Sequence, residues 1–158
     1  MPQKLRVKSI KLETFGHETE DEEKVIKALL NIVPDKLRNT INLEVLTVRG
    51  YFNNKIKVFK IKVEDTLANE ALDYIIKNLS RDDKEFIRNT IDMRFNRGVL
   101  YMRFNKQKAY FGNLALVDYS DDIIKTEIVF NPRVKDKEFI IQWVNKMFNT
   151  NNKVKVMQ

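Results

Sequence analysis

Hydrophobic and polar positions alternate over residues 4–14, which predicts a strand. The alternation changes phase midway: Leu5 and Val7 share one phase, Ile10 and Leu12 the other. A period-2 strand changes face only at a bulge or under two-sided burial. Lys4, Arg6, Lys8 and Lys11 make the strand basic, a common protection of solvated edges. Gly16 and His17 are expected to end it. Thr19 to Glu22 has the form of a capping box, and Val25, Ile26, Leu29, Leu30 and Val33 follow at helical spacing. The spacing predicts a helix over 20–33, stopped before Pro34.

Residues 41–48 and 55–64 predict a β-hairpin joined by Arg49-Gly50-Tyr51-Phe52-Asn53-Asn54. Asp65 or Thr66 is expected to cap a helix buried along Ala68, Leu72, Ile75, Ile76 and Leu79. Ser80 to Asp83 is a second capping box, before a helix over 82–93. The absence of a linker between these helices implies a sharp bend at Ser80. Val99 to Phe104 is a strand with Leu100, Met102 and Phe104 facing a core and Val99, Tyr101 and Arg103 facing away. One helical turn follows within 105–112. Residues 114–117 and 123–130 predict a last hairpin across the acidic turn Asp118–Asp122. A helix over 135–149 buries Phe139, Ile140, Trp143, Val144 and Met147, and 150–158 is a polar, basic tail that frays.

The order is β-α-β-β-α-α-β-β-β-α. It predicts an α+β fold: a mostly antiparallel sheet with helices on one face and the other partly solvated, all in one domain over 1–149.

Charge then changes the picture. The 158 residues carry 29 Lys and Arg against 22 Asp and Glu, for a net charge of +7. That balance favours polyanionic partners. With no cysteine, disulfides, zinc–thiolate sites and thiol nucleophiles are excluded. His17 is the single histidine; alone it builds neither a zinc triad nor a hydrolase triad. Its place before a helix suggests a structural hydrogen bond, with RNA contact as the other reading. The carboxylates of 18–23 suit the positive end of a helix dipole, and Asp118–Asp122 lacks the spacing of a calcium loop. No metal, cofactor or catalytic residue is expected. No run of about 18 apolar residues exists, so no transmembrane helix is expected, and with no signal-peptide pattern the expected location is the cytoplasm.

The most distinctive stretch is Arg94–Gly112, with five cations, five aromatics and no acid. Phosphate recognition needs positive groups on a semi-rigid element, which selects Arg94, Arg97, Arg103, Lys106 and Lys108. Tyr101 and Tyr110 either stack on bases or pack half-buried. Arg103 either meets phosphate or pairs with Glu127. The first hairpin adds Arg49, Tyr51, Lys55 and Lys57, with Tyr51 and Phe52 as a stacking platform or folded back onto the sheet.

Two runs carry a resemblance: Phe15-Gly-His17-Glu-Thr-Glu20-Asp21-Glu22-Glu23, and Leu100-Tyr-Met-Arg103-Phe104-Asn-Lys106-Gln107-Lys-Ala109-Tyr110-Phe-Gly112, in order around a basic hairpin with a Gly50-Tyr51 turn. From about Lys8 to Phe130 the chain resembles a family of small archaeal RNA-binding, predicted exosome-associated proteins. The resemblance implies a ribosomal protein L5-like fold and non-catalytic RNA binding in RNA processing or degradation. It also implies exosome- or ribosome-related proteins as partners. The alternative is a protein–protein assembly module, a homodimer or a subunit of a larger complex, without direct RNA contact.

Overall fold

The computed structural model describes residues 6–118, 120–131 and 137–156, with side chains omitted beyond 146. Lys4, Leu5 and the side chain of Met147, named above, lie outside the described residues, as do 119 and 132–136.

The strands are β1 (Arg6–His17), β2 (Leu43–Arg49), β3 (Lys55–Glu64), β4 (Phe95–Asn96), β5 (Val99–Asn105) and β6 (Ile123–Asn131). They form one sheet in the order β2-β3-β1-β6-β5-β4, every neighbour antiparallel. The helices are α1 (Glu22–Leu30), α2 (Asp65–Asn78), α3 (Arg81–Asn89), α4 (Ile91–Arg94), α5 (Lys106–Tyr110) and α6 (Lys137–Val156), with a 3-10 turn over Asp35–Leu37. The register stacks the covered face in cross-strand rows. Val63, Ile10, Ile128 and Leu100 form one; Ile61, Leu12, Thr126 and Met102 the next; Phe59, Thr14, Ile124 and Phe104 the third. All twelve side chains are buried. Helix α2 packs on β1 and β3, and α1 packs on β1 and α5. The architecture is the α+β arrangement the patterning predicts.

The phase change in β1 is a bulge. The pairing with β6 slips between Val7 and Ser9, so Val7 and Ile10 both reach the interior. Gly16 and His17 do not interrupt the strand but are its last two residues, paired with Lys57 and Ile56. Gly16 is there for space, since a Cβ would sit 2.8 Å from Cε2 of buried Phe59. Gly16→Ala is therefore expected to destabilise by about 1–3 kcal/mol, the usual cost of overpacking, read from the urea midpoint.

Other boundaries moved for local reasons. A turn closed by Glu20 N–H donating to the His17 carbonyl uses up Thr19, so Asp21 caps α1 by accepting from Glu23 N–H at 3.0 Å. Helix α1 stops at Leu30, short of Val33. Neither Asp65 nor Thr66 is the cap of α2. Glu64 holds that position with no side-chain cap bond, and Asp65 is left-handed at φ 53°. Ser80 caps α3 as predicted, accepting from Asp83 N–H at 3.1 Å. The single helix over 82–93 divides at Thr90, whose hydroxyl donates back to the Phe86 carbonyl at 2.6 Å. The two-residue turn Arg97–Gly98, with φ of 52° and 82°, folds β4 onto β5.

The last hairpin is not formed. Residues 115–117 run along the edge of β5: Asn105 N–H donates to Ala115, and Val117 N–H to Arg103. Strand β6 inserts between β1 and β5, and Ile124, Ile128 and Phe130 are buried there. Helix α6 runs on to Val156, through most of the expected tail; no Gly or Pro interrupts 137–156.

Candidate nucleic-acid interface

The uncovered sheet face carries Tyr101 and Arg103, as the strand phase predicts, but it is not uniformly basic. One cross-strand row reads Glu44, Lys60, Glu13, Lys125, Arg103; the next contains Lys62, Lys11, Glu127 and Tyr101. Carboxylates alternate with most of the cations. Lys62 pairs with Glu64 at 3.6 Å and Lys125 with Glu127 at 3.5 Å. Glu127 thus has Lys125 as its ion-pair partner, not Arg103.

The Arg94–Gly112 stretch separates in space. Arg94 donates from Nε to Thr90 Oγ1 at 2.7 Å and lies 4.5 Å from the Phe86 ring centroid. Burial lowers its pKa, opposed by Asp118 and reinforced by Arg103. Arg97 is exposed at its turn, and Lys108 is exposed on α5. Tyr110 is half-buried against the core cluster, with Lys27 Nζ 4.9 Å from its ring centroid.

Lys106 corrects the sequence reading. It is buried, because Asn105 caps α5 and turns its first residue inward under β1. Its ammonium donates to the Phe15 carbonyl at 2.8 Å and contacts Glu20 Oε2 at 3.0 Å and Asp122 Oδ1 at 2.7 Å. All three donors are engaged, so a phosphate would have to displace them. This ion pair also joins the two runs that carry the family resemblance, through Glu20 of the first and Lys106 of the second. His17 contributes to the same region by its backbone, its N–H donating to Glu20 at 3.2 Å.

The β2–β3 hairpin has the opposite character. From Val45 to Val63 it holds Arg49, Lys55, Lys57, Lys60 and Lys62 with no acid. Gly50 N–H donates to the Asn54 carbonyl, Asn53 N–H donates to Gly50, and Asn53 takes φ 62°, which closes the tip. A side chain at Gly50 would strike Asn54 and Ile56. The closed tip turns Tyr51 and Phe52 outward, 96% and 86% exposed, as an edge-to-face pair with centroids 5.0 Å apart. Arg49 is braced against Asn53 Oδ1 at 2.8 Å, Lys55 is exposed, and Lys57 bridges to Glu22 at 2.6 Å. Phe52 belongs with the candidates, and its signal was its place beside Tyr51 between Arg49 and the lysine-rich arm that starts at Lys55. Among the described residues no group of three His, Asp or Glu is placed to hold a metal, and no helix is long and apolar enough to cross a membrane.

A family described as RNA binding matches residues 9–130. An uncharacterized protein of Methanocaldococcus jannaschii is 36% identical over 136 residues, 82% of this chain and 91% of that protein. A protein of Pyrococcus abyssi named RNA-binding protein is 30% identical over 149 residues, 92% of this chain and 96% of its own length. The crystal structure of a Sulfolobus solfataricus protein labelled DUF54 superposes with a TM-score of 0.75 at 24% identity, covering 90% of this chain and 98% of that one. That likeness carries the fold alone and does not speak to ribosomal protein L5.

Proposed function

The chain belongs to this RNA-binding family, and we propose that it binds RNA without cleaving it, gripping a single strand through the β2–β3 hairpin. The observation that carries this reading is the pair Tyr51 and Phe52, almost fully exposed at the tip of a hairpin that holds no acid between Val45 and Val63. Two large aromatics held in water have no core to serve, whereas unpaired bases offer them a π-face. Arg49 and Lys55 beside them supply phosphate contacts, and Lys57 contributes while shared with Glu22. Arg97, Arg103 and Lys108 are exposed secondary contacts. Arg94, held between Thr90 and Phe86, serves mainly to shape that edge. Tyr101 and Tyr110 act through packing more than stacking, and Lys106 leaves the contact set. The work fits an accessory factor in RNA processing or degradation in the cytoplasm.

The test is a titration of single-stranded RNA over a salt series. Wild type is expected to lose affinity linearly in log–log form, and Arg49→Gln with Lys55→Gln to reduce the slope by about 1.4, two contacts on a single strand. A slope unchanged by that double variant would remove the hairpin cations from the interface.

A second reading has its own support. Among the described residues, strand β2 is an open sheet edge without Pro, Lys or bulge, and Leu46 and Val48 are exposed along it. Pairing of this edge with another subunit or a second copy would give a salt-insensitive dimer in sedimentation without RNA.

A further inference from the structure

The antiparallel register brings the hairpin, the end of β1, the start of α1 and helix α5 to one end of the sheet. There a cavity of about 280 Å³ opens between α1 and α5. We infer that this cavity receives one unpaired base of the RNA held by the hairpin, and that it prefers a base bearing an exocyclic amine; the inference rests on the RNA-binding reading above.

The lining has the parts a base needs. Val25 and Ala28 of α1 give an apolar floor. Phe111 stands at the rim, 76% exposed, braced edge-to-face by Tyr110 with centroids 5.0 Å apart. Lys27 and Lys24 already lie over Tyr110, so Phe111 is the ring left open for stacking. Flat apolar surface, an aromatic wall and a few polar groups are the usual composition of a small-ligand site, and this volume stands near the lower end of such sites, about 300 Å³.

The polar groups are mostly acceptors. Gln107 gives its amide nitrogen to Asp122 Oδ2 at 2.7 Å, which leaves its carbonyl oxygen to accept. Asp21 accepts from Glu23 N–H through Oδ1, leaving Oδ2. Lys106 neutralises Glu20. An acceptor-rich rim suits the amino edges of adenine, cytosine or guanine. Uracil presents two carbonyls around a single N–H and meets acceptors with acceptors. Lys24 on the rim supplies a phosphate contact, and the Lys57–Glu22 bridge joins the hairpin to the first turn of α1.

The test is fluorescence anisotropy with short labelled oligo(A) and oligo(U) RNA. Wild type should bind oligo(A) at least five-fold more tightly, the lower end of discrimination from one good base contact. Phe111→Ala should lose roughly ten-fold on oligo(A) with an unchanged salt slope, the loss of one stacked base. Asp21→Asn keeps the helix cap, since Asn caps as well as Asp, and should erase the preference over oligo(U) by offering a donor. Circular dichroism checks that both variants fold. If both bind the two RNAs as wild type does while Tyr51→Ala/Phe52→Ala loses binding, the cavity is overturned and the hairpin stands. If wild type binds neither RNA, the RNA-binding reading fails, and this inference with it.

Discussion

Lys106→Met is expected to lower the unfolding free energy by about 3 kcal/mol, the lower end of what removing one partner of a buried ion pair costs. The lower end applies because Glu20 and Asp122 keep some solvent access. Urea denaturation reads the loss directly. In the folded variant the salt slope of RNA binding should not fall, the reverse of what losing a phosphate-contacting lysine would give. The acid limb carries a second signature. Burial alone would raise the Asp122 pKa. Hydrogen bonds from Gln107 and Lys106, with the charges of Lys106 and His17, overcome it and hold the carboxyl below its ordinary 3.8. A carboxylate with a depressed folded pKa contributes stability that is whole above the ordinary value and is lost as pH falls through the lower one. In Lys106→Met that depression shrinks, so the variant loses less on acidification below about pH 4 than wild type does.

The second large effect belongs to the hairpin tip. Tyr51→Ala with Phe52→Ala is expected to weaken single-stranded RNA binding by about 2 kcal/mol, roughly thirty-fold, since each stacked base contributes about 1–3 kcal/mol. Both rings lie in solvent, so the thermal midpoint should hardly move. The salt slope should also hold, because no charge is removed. The Arg49/Lys55 variant changes the slope instead. The two variants thus separate stacking from phosphate contact at one site, measured by the same titration.

Much of the fold was legible where local chemistry and burial agreed. The Ser80 cap, the helical turn at 106–110 and the inward set Leu100, Met102 and Phe104 follow from period and capping alone, and the phase change in β1 narrows to a bulge or two-sided burial, of which the structure has the bulge. What was not legible depends on partners remote in the chain. Residues 114–117 and 123–130 have the patterning of a hairpin, yet β6 pairs with β1 on one side and β5 on the other, so both its edges are hydrogen-bonded. The lysines at 55, 57, 60 and 62 look like one basic arm. Register divides them, with Lys57 turned to Glu22 on the helix side and Lys60 and Lys62 set among carboxylates on the open face. The same reasoning redistributes the Arg94–Gly112 stretch. Its composition was real, but composition does not record that Glu20 and Asp122 fold over Lys106. The hairpin tip was readable as a candidate, and only the structure gives the near-complete exposure that raises Tyr51 and Phe52 above the rest.

Photocrosslinking of a thiouridine-substituted single-stranded RNA to the wild-type protein, followed by peptide mapping, tests the hairpin reading most directly. Crosslinks should concentrate on residues 49–57, led by Tyr51 and Phe52, and fall away when those two are alanine. Crosslinks confined to the peptide bearing Tyr101 and Arg103, and unaffected by the tip variant, would place RNA on the open sheet face and contradict it.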